Sequence, residues 1–132
     1  MATDAERLEE AEAALEEIRW ATDAIVLVEG PRDTAALRSL GVDGRFVEVQ
    51  SQGGPIRAAE AVYEAGARAI ILTDWDRTGG RLAEELKNQL SALDVPWDAD
   101  LRARLSKASK KDVKDVQSLP SMIARLRETV RP

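Results

Sequence analysis

Two short apolar segments, each ending in acidic residues followed by glycine, constrain this chain more than any other feature. The segments are Ile25 to Gly30, IVLVEG, and Ala69 to Gly79, AIILTDWDRTG. Apolar runs of this length, bounded by turn residues and followed by helical periodicity, are typical of buried strands in a parallel sheet. Ligands of open α/β sheets bind just beyond the carboxyl ends of such strands. We therefore expect Glu29, Asp74 and Asp76 at the ligand-binding edge of a sheet.

Three carboxylates at one edge of a sheet repel one another unless a cation lies between them. Asp74 and Asp76 can converge if extended backbone continues to Asp76, because side chains at i and i+2 of a strand point the same way. Glu29 then faces them if the two strands are neighbours, about 4.8 Å apart. Hard oxygen ligands suit Mg²⁺, for which Mn²⁺ can substitute, and one or two such ions can activate a water against a phosphodiester. The sequence therefore predicts a magnesium site.

Two further features indicate a phosphate-containing partner. Gly79 and Gly80 lead into the next helix, where exposed backbone N–H groups can bind an anion. A basic run follows later in the chain, and its lysines are Lys107, Lys110, Lys111 and Lys114. We predict that this run flanks the acidic site and steers a phosphate backbone toward it, with Lys110 and Lys111 as phosphate-binding residues. The alternative, that the run is only a solvated helix face, is left open.

The composition excludes several kinds of site. A chain of 132 residues fits one domain with one sizeable core. It contains no cysteine and no histidine, so thiolate zinc sites, disulfides and the usual general base are excluded. The net charge of -5 argues weakly against a bulk nucleic-acid coat protein. With no apolar stretch near the roughly 20 residues of a membrane span and no signal peptide, we expect a cytoplasmic protein without membrane contact.

Strand and helix patterns alternate along the chain, which predicts a mostly parallel α/β sheet of about four strands with helices on both faces. The predicted strands are 25–28, 46–49, 69–72 and a short edge strand at 95–97. An acidic helix is expected over 4–20, and we predict that its apolar stripe packs on the chain's own sheet, which favours a monomer over a dimer. The C-terminal predictions are a helical turn at 101–105, a basic loop at 106–116 and a closing helix at 118–130.

The two acidic segments resemble the signature of the Toprim domain, which topoisomerases, bacterial-type primases, some repair nucleases and the ribonuclease that matures bacterial 5S ribosomal RNA share. That signature is a strand ending in Glu-Gly, matched by Glu29-Gly30, and a later strand ending in Asp-x-Asp-x-x-Gly, matched by residues 74–79. Primase-like members carry another acid four residues after the glutamate, which Asp33 matches. Further acids follow their fourth strand, for which Asp112 or Asp115 is a looser match.

The resemblance covers residues 24–116 and implies a Rossmann-like Toprim fold. It implies magnesium binding through Glu29, Asp74 and Asp76 as the catalytic set, with Glu29 also acting as general acid or base. The other matched acids are implied as outer residues or ligands of a second metal. The expected division is an acidic N-terminal helix (1–23), a Toprim domain (24–116) and a C-terminal helix of the same domain (117–132).

The function predicted on this basis is Mg²⁺-dependent hydrolysis of phosphodiesters in RNA or DNA. A topoisomerase is set aside because the only tyrosine, Tyr63, lies on a predicted helix, and a complete primase needs zinc-binding modules for which there are no cysteines. The alternative is a non-catalytic, metal-dependent module that binds nucleic acid or nucleotides with protein partners in a larger complex. A receiver-type phosphorylatable domain is a third, weaker alternative. The whole chain is similar to small standalone archaeal Toprim proteins of uncharacterised function.

Overall fold

The computed structural model describes residues 2–110 and 112–131 and confirms the α/β prediction. Its sheet has four strands, all parallel, in the order β2-β1-β3-β4. The strands are β1 (Ala24–Val28), β2 (Arg45–Glu48), β3 (Arg68–Ile71) and β4 (Trp97–Asp98). In doubly wound sheets of this order the topological switch point, where ligands bind, lies between β1 and β3. These are the two strands that the acidic segments follow.

Seven α-helices connect and cover these strands in the described residues. They are α1 (Asp4–Trp20), α2 (Pro31–Ser39), α3 (Val49–Gln52), α4 (Pro55–Glu64), α5 (Arg77–Ala92), α6 (Asp100–Ser109) and α7 (Leu119–Val130), with a 3-10 turn at Val116–Ser118 before α7. A search of this part of the chain finds no helix long and apolar enough to cross a membrane.

Apolar side chains fill both faces of the sheet, because successive strand residues point to opposite sides. Val26 and Val28 of β1 pack in one cluster with α1, α2, α6 and α7. Ile25 and Leu27 pack in the other cluster with α4 and α5. Burial on both faces explains why β1 reads as a continuous apolar run rather than an alternating one. The prediction of helices on both faces is confirmed.

The acidic helix α1 packs within the chain, against α6 and α7. A capping box starts it: the Thr3 hydroxyl accepts the Glu6 N–H, and the Glu6 carboxylate accepts the Thr3 N–H at 3.1 Å. Its stripe of Leu8, Ala11 and Leu15, continued by Ile18, is buried in the shared core.

The prediction of a basic loop at 106–116 is wrong over its first residues, because α6 continues to Ser109. Leu101, Leu105 and Ala108 follow one another at helical intervals and are buried, while Lys107 lies on the exposed side of the helix. The second strand ends earlier than predicted, at Glu48, because Val49 already begins the short helix α3.

Gly79 permits the close approach of α5 to the loop after β3. A Cβ at Gly79 would lie 1.9 Å from the Asp74 carbonyl oxygen, whereas a Cβ at Gly80 would meet only the Arg102 guanidinium at 3.9 Å. We therefore expect Gly79→Ala to lower the free energy of unfolding by about 3 kcal/mol or more. Gly80→Ala is the matched control and should be neutral or stabilising by up to about 1 kcal/mol, since alanine favours a helix. Urea unfolding followed by circular dichroism measures both, and equal stabilities would contradict the proposed packing.

Candidate functional site

A cavity of about 300 Å³ opens at the switch point, beyond the carboxyl ends of β1 and β3. It is lined by Glu29, Gly30, Pro31, Arg32, Asp33, Gln50, Asp74 and Gln117. Two of the three acids that the sequence singles out, Glu29 and Asp74, are therefore brought to the same cavity. Asp33 joins them, and Asp76 does not line it.

A hydrogen bond across the two strands fixes the relative positions of Glu29 and Asp74. The backbone N–H of Asp74 donates to Oε2 of Glu29 at 2.8 Å. On the other side of Glu29, its carbonyl oxygen accepts the N–H of Gln50 at 3.1 Å, which turns the chain after β2 toward the cavity. The Glu29 carboxylate therefore lies at the centre of this edge, and the residues that the structure describes anchor it through Oε2 alone.

Asp74 is half-buried, and its Oδ1 accepts the backbone N–H of Val116 at 2.9 Å. Burial raises the pKa of Asp74 to about 7, and the negative charges of Glu29, Asp33 and Asp115 contribute to the same shift. The Val116 N–H opposes the shift by stabilising the charged form. Burial and the three neighbouring negative charges thus together disfavour the ionised form of Asp74 in the metal-free cavity.

Asp33 is buried, at 7% exposure, and its Oδ2 accepts the Gly30 N–H at 3.0 Å. Desolvation raises the pKa of the Asp33 carboxyl, and the nearby charges of Asp115 and Glu48 act in the same direction. The sequence predicted Asp33 as an outer acid of the site, and the structure brings it to the cavity wall.

Trp75 fastens the C-terminal segment to the site. Its backbone N–H donates to the Lys114 carbonyl at 2.9 Å, and its indole Nε1 donates to the Val113 carbonyl at 2.9 Å. These bonds position Asp115, the residue after Lys114, so that its negative charge contributes to the raised pKa of Asp74. The Asp115 carboxylate itself accepts the Ser118 N–H at 2.9 Å at the start of the 3-10 turn.

Asp76 takes the role of helix cap. Its Oδ1 accepts the Gly79 N–H at 2.7 Å, and its carbonyl accepts the Gly80 N–H at 2.9 Å. The strand does not continue to Asp76, as the convergence of the two aspartates requires, because β3 ends at Ile71 and the chain bends at Trp75 and Asp76 before α5 begins at Arg77. The two glycine N–H groups predicted to bind phosphate are used within the fold. Among residues 2–110 and 112–131, no three carboxylates lie close enough together to hold a metal ion.

Arg102 on α6 is the residue of this site that the sequence did not reveal. Its Nε donates to the Thr73 carbonyl at 2.9 Å and its Nη2 to the Asp74 carbonyl at 2.6 Å. Burial lowers the pKa of the Arg102 guanidinium, while the carboxylates of Asp74, Glu29 and Asp76 oppose that shift. Arg102 therefore places a cation behind the acidic cavity and holds the backbone that carries Asp74.

The remaining predicted site residues lie elsewhere. Asp112 accepts from Nη2 of Arg7 at 2.6 Å, a hydrogen bond that holds the pKa of Asp112 below its usual range, so it does not join Asp74. The Lys110 ammonium donates to the Ala2 carbonyl at 2.8 Å, on the side of α1. Lys107 lies on that same side. The prediction for Lys111 falls outside the described residues.

The fold and the site together define a parallel α/β protein with an acidic cavity at its topological switch point. The chain is 35% identical over 122 residues to the UPF0292 protein of Methanosarcina barkeri, covering 92% of this chain and 84% of the relative. It is 33% identical over 115 residues to the UPF0292 protein of Thermococcus onnurineus, covering 87% and 84%. The chain therefore belongs to the UPF0292 family, and these relatives are archaeal, as the resemblance of the whole chain implied.

No protein-family model matches the chain. Among solved structures, a protein from Aquifex aeolicus superposes with a TM-score of 0.69, over 81% of this chain and 95% of that protein. At 23% sequence identity this likeness shows the fold alone.

Asp74 should make the stability of the metal-free protein depend on pH. Asp74 has an ordinary pKa of 3.8 in an unfolded chain and a pKa of about 7 in the fold. Its contribution to stability is therefore fully present below about pH 4 and is lost as the pH rises through about 7. After allowance for partial exposure, we expect this group to cost roughly 2 kcal/mol between about pH 5 and pH 8.

Asp74→Asn tests this effect, since asparagine keeps an oxygen for the Val116 N–H but carries no charge. In EDTA, urea unfolding of the variant should depend less on pH than that of the wild type and show higher stability near pH 8. Asp43→Asn, at an exposed position before β2, is the control and should follow the wild type. Parallel pH profiles for wild type and Asp74→Asn would contradict a raised pKa of Asp74 in the folded protein.

Proposed function

We propose that this protein is a Mg²⁺-dependent phosphodiester hydrolase of the Toprim type that acts on RNA or DNA. The observation that carries the proposal is the joining of Glu29 and Asp74 at the switch point by a 2.8 Å hydrogen bond. The Glu-Gly and Asp-x-Asp-x-x-Gly segments thus meet where parallel α/β sheets bind their ligands. The membership of the UPF0292 family is compatible with this activity and does not test it.

The chemistry of the donor set fits a divalent cation. The Glu29 and Asp74 carboxylates each use one oxygen for a backbone N–H, and the described residues offer no hydrogen bond to the other oxygen. Burial, with the added negative charges of Glu29, Asp33 and Asp115, raises the pKa of Asp74 in the same cavity, and a bound cation would offset that cost. Carboxylate oxygens are the ligands that Mg²⁺ and Mn²⁺ prefer. When bound, such an ion polarises a phosphodiester and activates a water.

Each residue of the site would then have a defined role. Glu29 and Asp74 would hold the ion, and the resemblance to Toprim domains gives Glu29 the further role of moving a proton. Asp76 would contribute the oxygen that does not cap α5, and Asp33 and Asp115 would hold the outer charge or a second ion. Arg102 keeps the Asp74 backbone in place through the Thr73 and Asp74 carbonyls.

One observation favours the alternative of a non-catalytic module that binds nucleic acid or nucleotides within a larger complex. In the described parts of the chain, the carboxylates are not gathered as a set of three around one point. A metal-dependent binding module needs only one or two carboxylates to hold an ion beside a phosphate, whereas the Toprim pattern of hydrolysis uses all three. Activity itself separates the two functions.

Single-turnover cleavage of labelled structured RNA and branched DNA, in Mg²⁺ or Mn²⁺, tests the proposal. The wild type should cleave at least one substrate, and EDTA should abolish cleavage. Glu29→Gln should lower the rate by about 100-fold or more, as expected for the loss of a proton-transferring group. Asp74→Asn should lower both the rate and the metal affinity, the latter measured by calorimetry.

Asp43→Asn provides the matched control, because it removes one exposed carboxylate far from the cavity lining. Its rate and metal affinity should equal those of the wild type. A wild type that shifts the substrates in a gel but leaves them intact would instead identify the binding module.

A further inference from the structure

The arginines nearest the acidic helix α1 are neutralised within the chain. Arg104 on α6 donates to Glu10 and to Glu17, each at 2.7 Å. Arg127 on α7 donates to Glu12 at 3.2 Å. These bonds tie α6 and α7 to the acidic face of α1. Arg104 and Arg127 therefore face the chain's own carboxylates rather than an external anion.

A second set of arginines is exposed and forms no ion pair with any carboxylate of residues 2–110 and 112–131. These residues, here called the arginine rim, are Arg32, Arg57, Arg77 and Arg81. Each lies in the first two turns of a helix that begins at the carboxyl edge of the sheet: α2, α4 or α5. They share this edge with the acidic cavity.

The arginine rim flanks the cavity from both faces of the sheet. Arg32 lines the cavity and belongs to α2, which packs on one face. The other three belong to α4 and α5 on the opposite face. The aliphatic part of the Arg57 side chain lies over Gly53, because a Cβ built on Gly53 would be 3.7 Å from Cδ of Arg57. Gly53 directly follows α3, and Gln50 of α3 lines the cavity. Arg77 directly follows Asp76.

We propose that the arginine rim binds the phosphodiester backbone of a nucleic acid and lays it across the carboxyl edge of the sheet, over the acidic cavity. A guanidinium group can bind two oxygens of one phosphate at the same time through two of its N–H donors. The three strands β2, β1 and β3 together span about 10 Å, and the rim helices lie outside them. The distance across the rim is therefore too large for a single phosphate to bridge. Cations on both sides also offset the repulsion between the cavity acids and the backbone. The inference rests on the proposed function for the chemistry in the cavity, but the rim acts without metal.

Binding measured without metal tests the rim independently of hydrolysis. Fluorescence anisotropy in EDTA, over a range of KCl concentrations, follows fluorescein-labelled RNA hairpin and DNA duplex. The variant carries glutamine at all four rim positions: Arg32→Gln, Arg57→Gln, Arg77→Gln and Arg81→Gln. We expect its affinity to fall by about tenfold or more at low salt and the slope of log affinity against log salt to flatten by about 3.

The matched control removes the same number of positive charges away from this edge: Arg45→Gln, Lys107→Gln, Lys110→Gln and Arg125→Gln. It should change the slope by less than about one. Equal effects of the two variants would overturn the proposal in favour of bulk charge.

The remaining outcomes separate the rim from the activity. A wild type that binds neither probe in EDTA but cleaves in Mg²⁺ would overturn the rim and leave the proposed function standing. Rim-dependent binding without cleavage would support the rim and contradict hydrolysis. Thermal melts of all variants verify that these exposed substitutions leave the fold intact.

Discussion

The hydrogen bond from the Asp74 N–H to the Glu29 carboxylate is the interaction on which the site depends. It joins the carboxyl ends of β1 and β3 at 2.8 Å and sets two acids beside each other at a half-buried edge. Their mutual repulsion, added to burial, is visible in the pKa of Asp74, which lies near 7. The fold therefore maintains an arrangement that is electrostatically costly. Costly charge arrangements of this kind are characteristic of functional sites, although structural networks produce them as well.

Much of the surrounding structure supports this edge. Gly79 lets α5 approach the Asp74 carbonyl closely. Asp76 caps α5 and so fixes the end of the loop after β3 to the start of the helix. Val116 offers its N–H to Asp74 from the C-terminal segment. Arg102 of α6 donates hydrogen bonds to the Thr73 and Asp74 carbonyls. Three parts of the chain, the start of α5, the C-terminal segment and α6, thus converge on one short loop.

The distribution of charge over the molecule follows from the same architecture. Glu10, Glu12 and Glu17 of α1 pair with Arg104 of α6 and Arg127 of α7 on the face of the sheet that these helices cover. At the carboxyl edge, the parallel topology places helix N-termini, arginines and acids together. The chain has a negative net charge of -5, yet it presents exposed cations beside the acidic cavity.

The strands and the cavity acids could be predicted because buried parallel strands have a local signature and their carboxyl ends share an edge. Glu29 and Asp74 belong to this predictable part, whereas Asp33 was expected only from the resemblance to primase-like Toprim domains. Arg102 does not, because its partners are backbone carbonyls 29 and 28 residues away, and a carbonyl carries no residue identity.

The same limit applies to the basic run. Only the packed structure shows that Asp112 pairs with Arg7 and that Lys110 reaches the Ala2 carbonyl, 105 and 108 residues away. The helix-capping role of Asp76 has a local cause that was not predicted from the sequence, since the strand ends at Ile71 and the chain bends before α5 begins.

Anomalous X-ray diffraction from crystals soaked in MnCl₂ tests the central claim most directly. That claim is that Glu29 and Asp74 form a cation site at the switch point. It predicts an anomalous peak within bonding distance of both carboxylates, and loss of that peak in Asp74→Asn crystals. A map with no peak in the cavity, or a peak that persists unchanged in the variant, would contradict it.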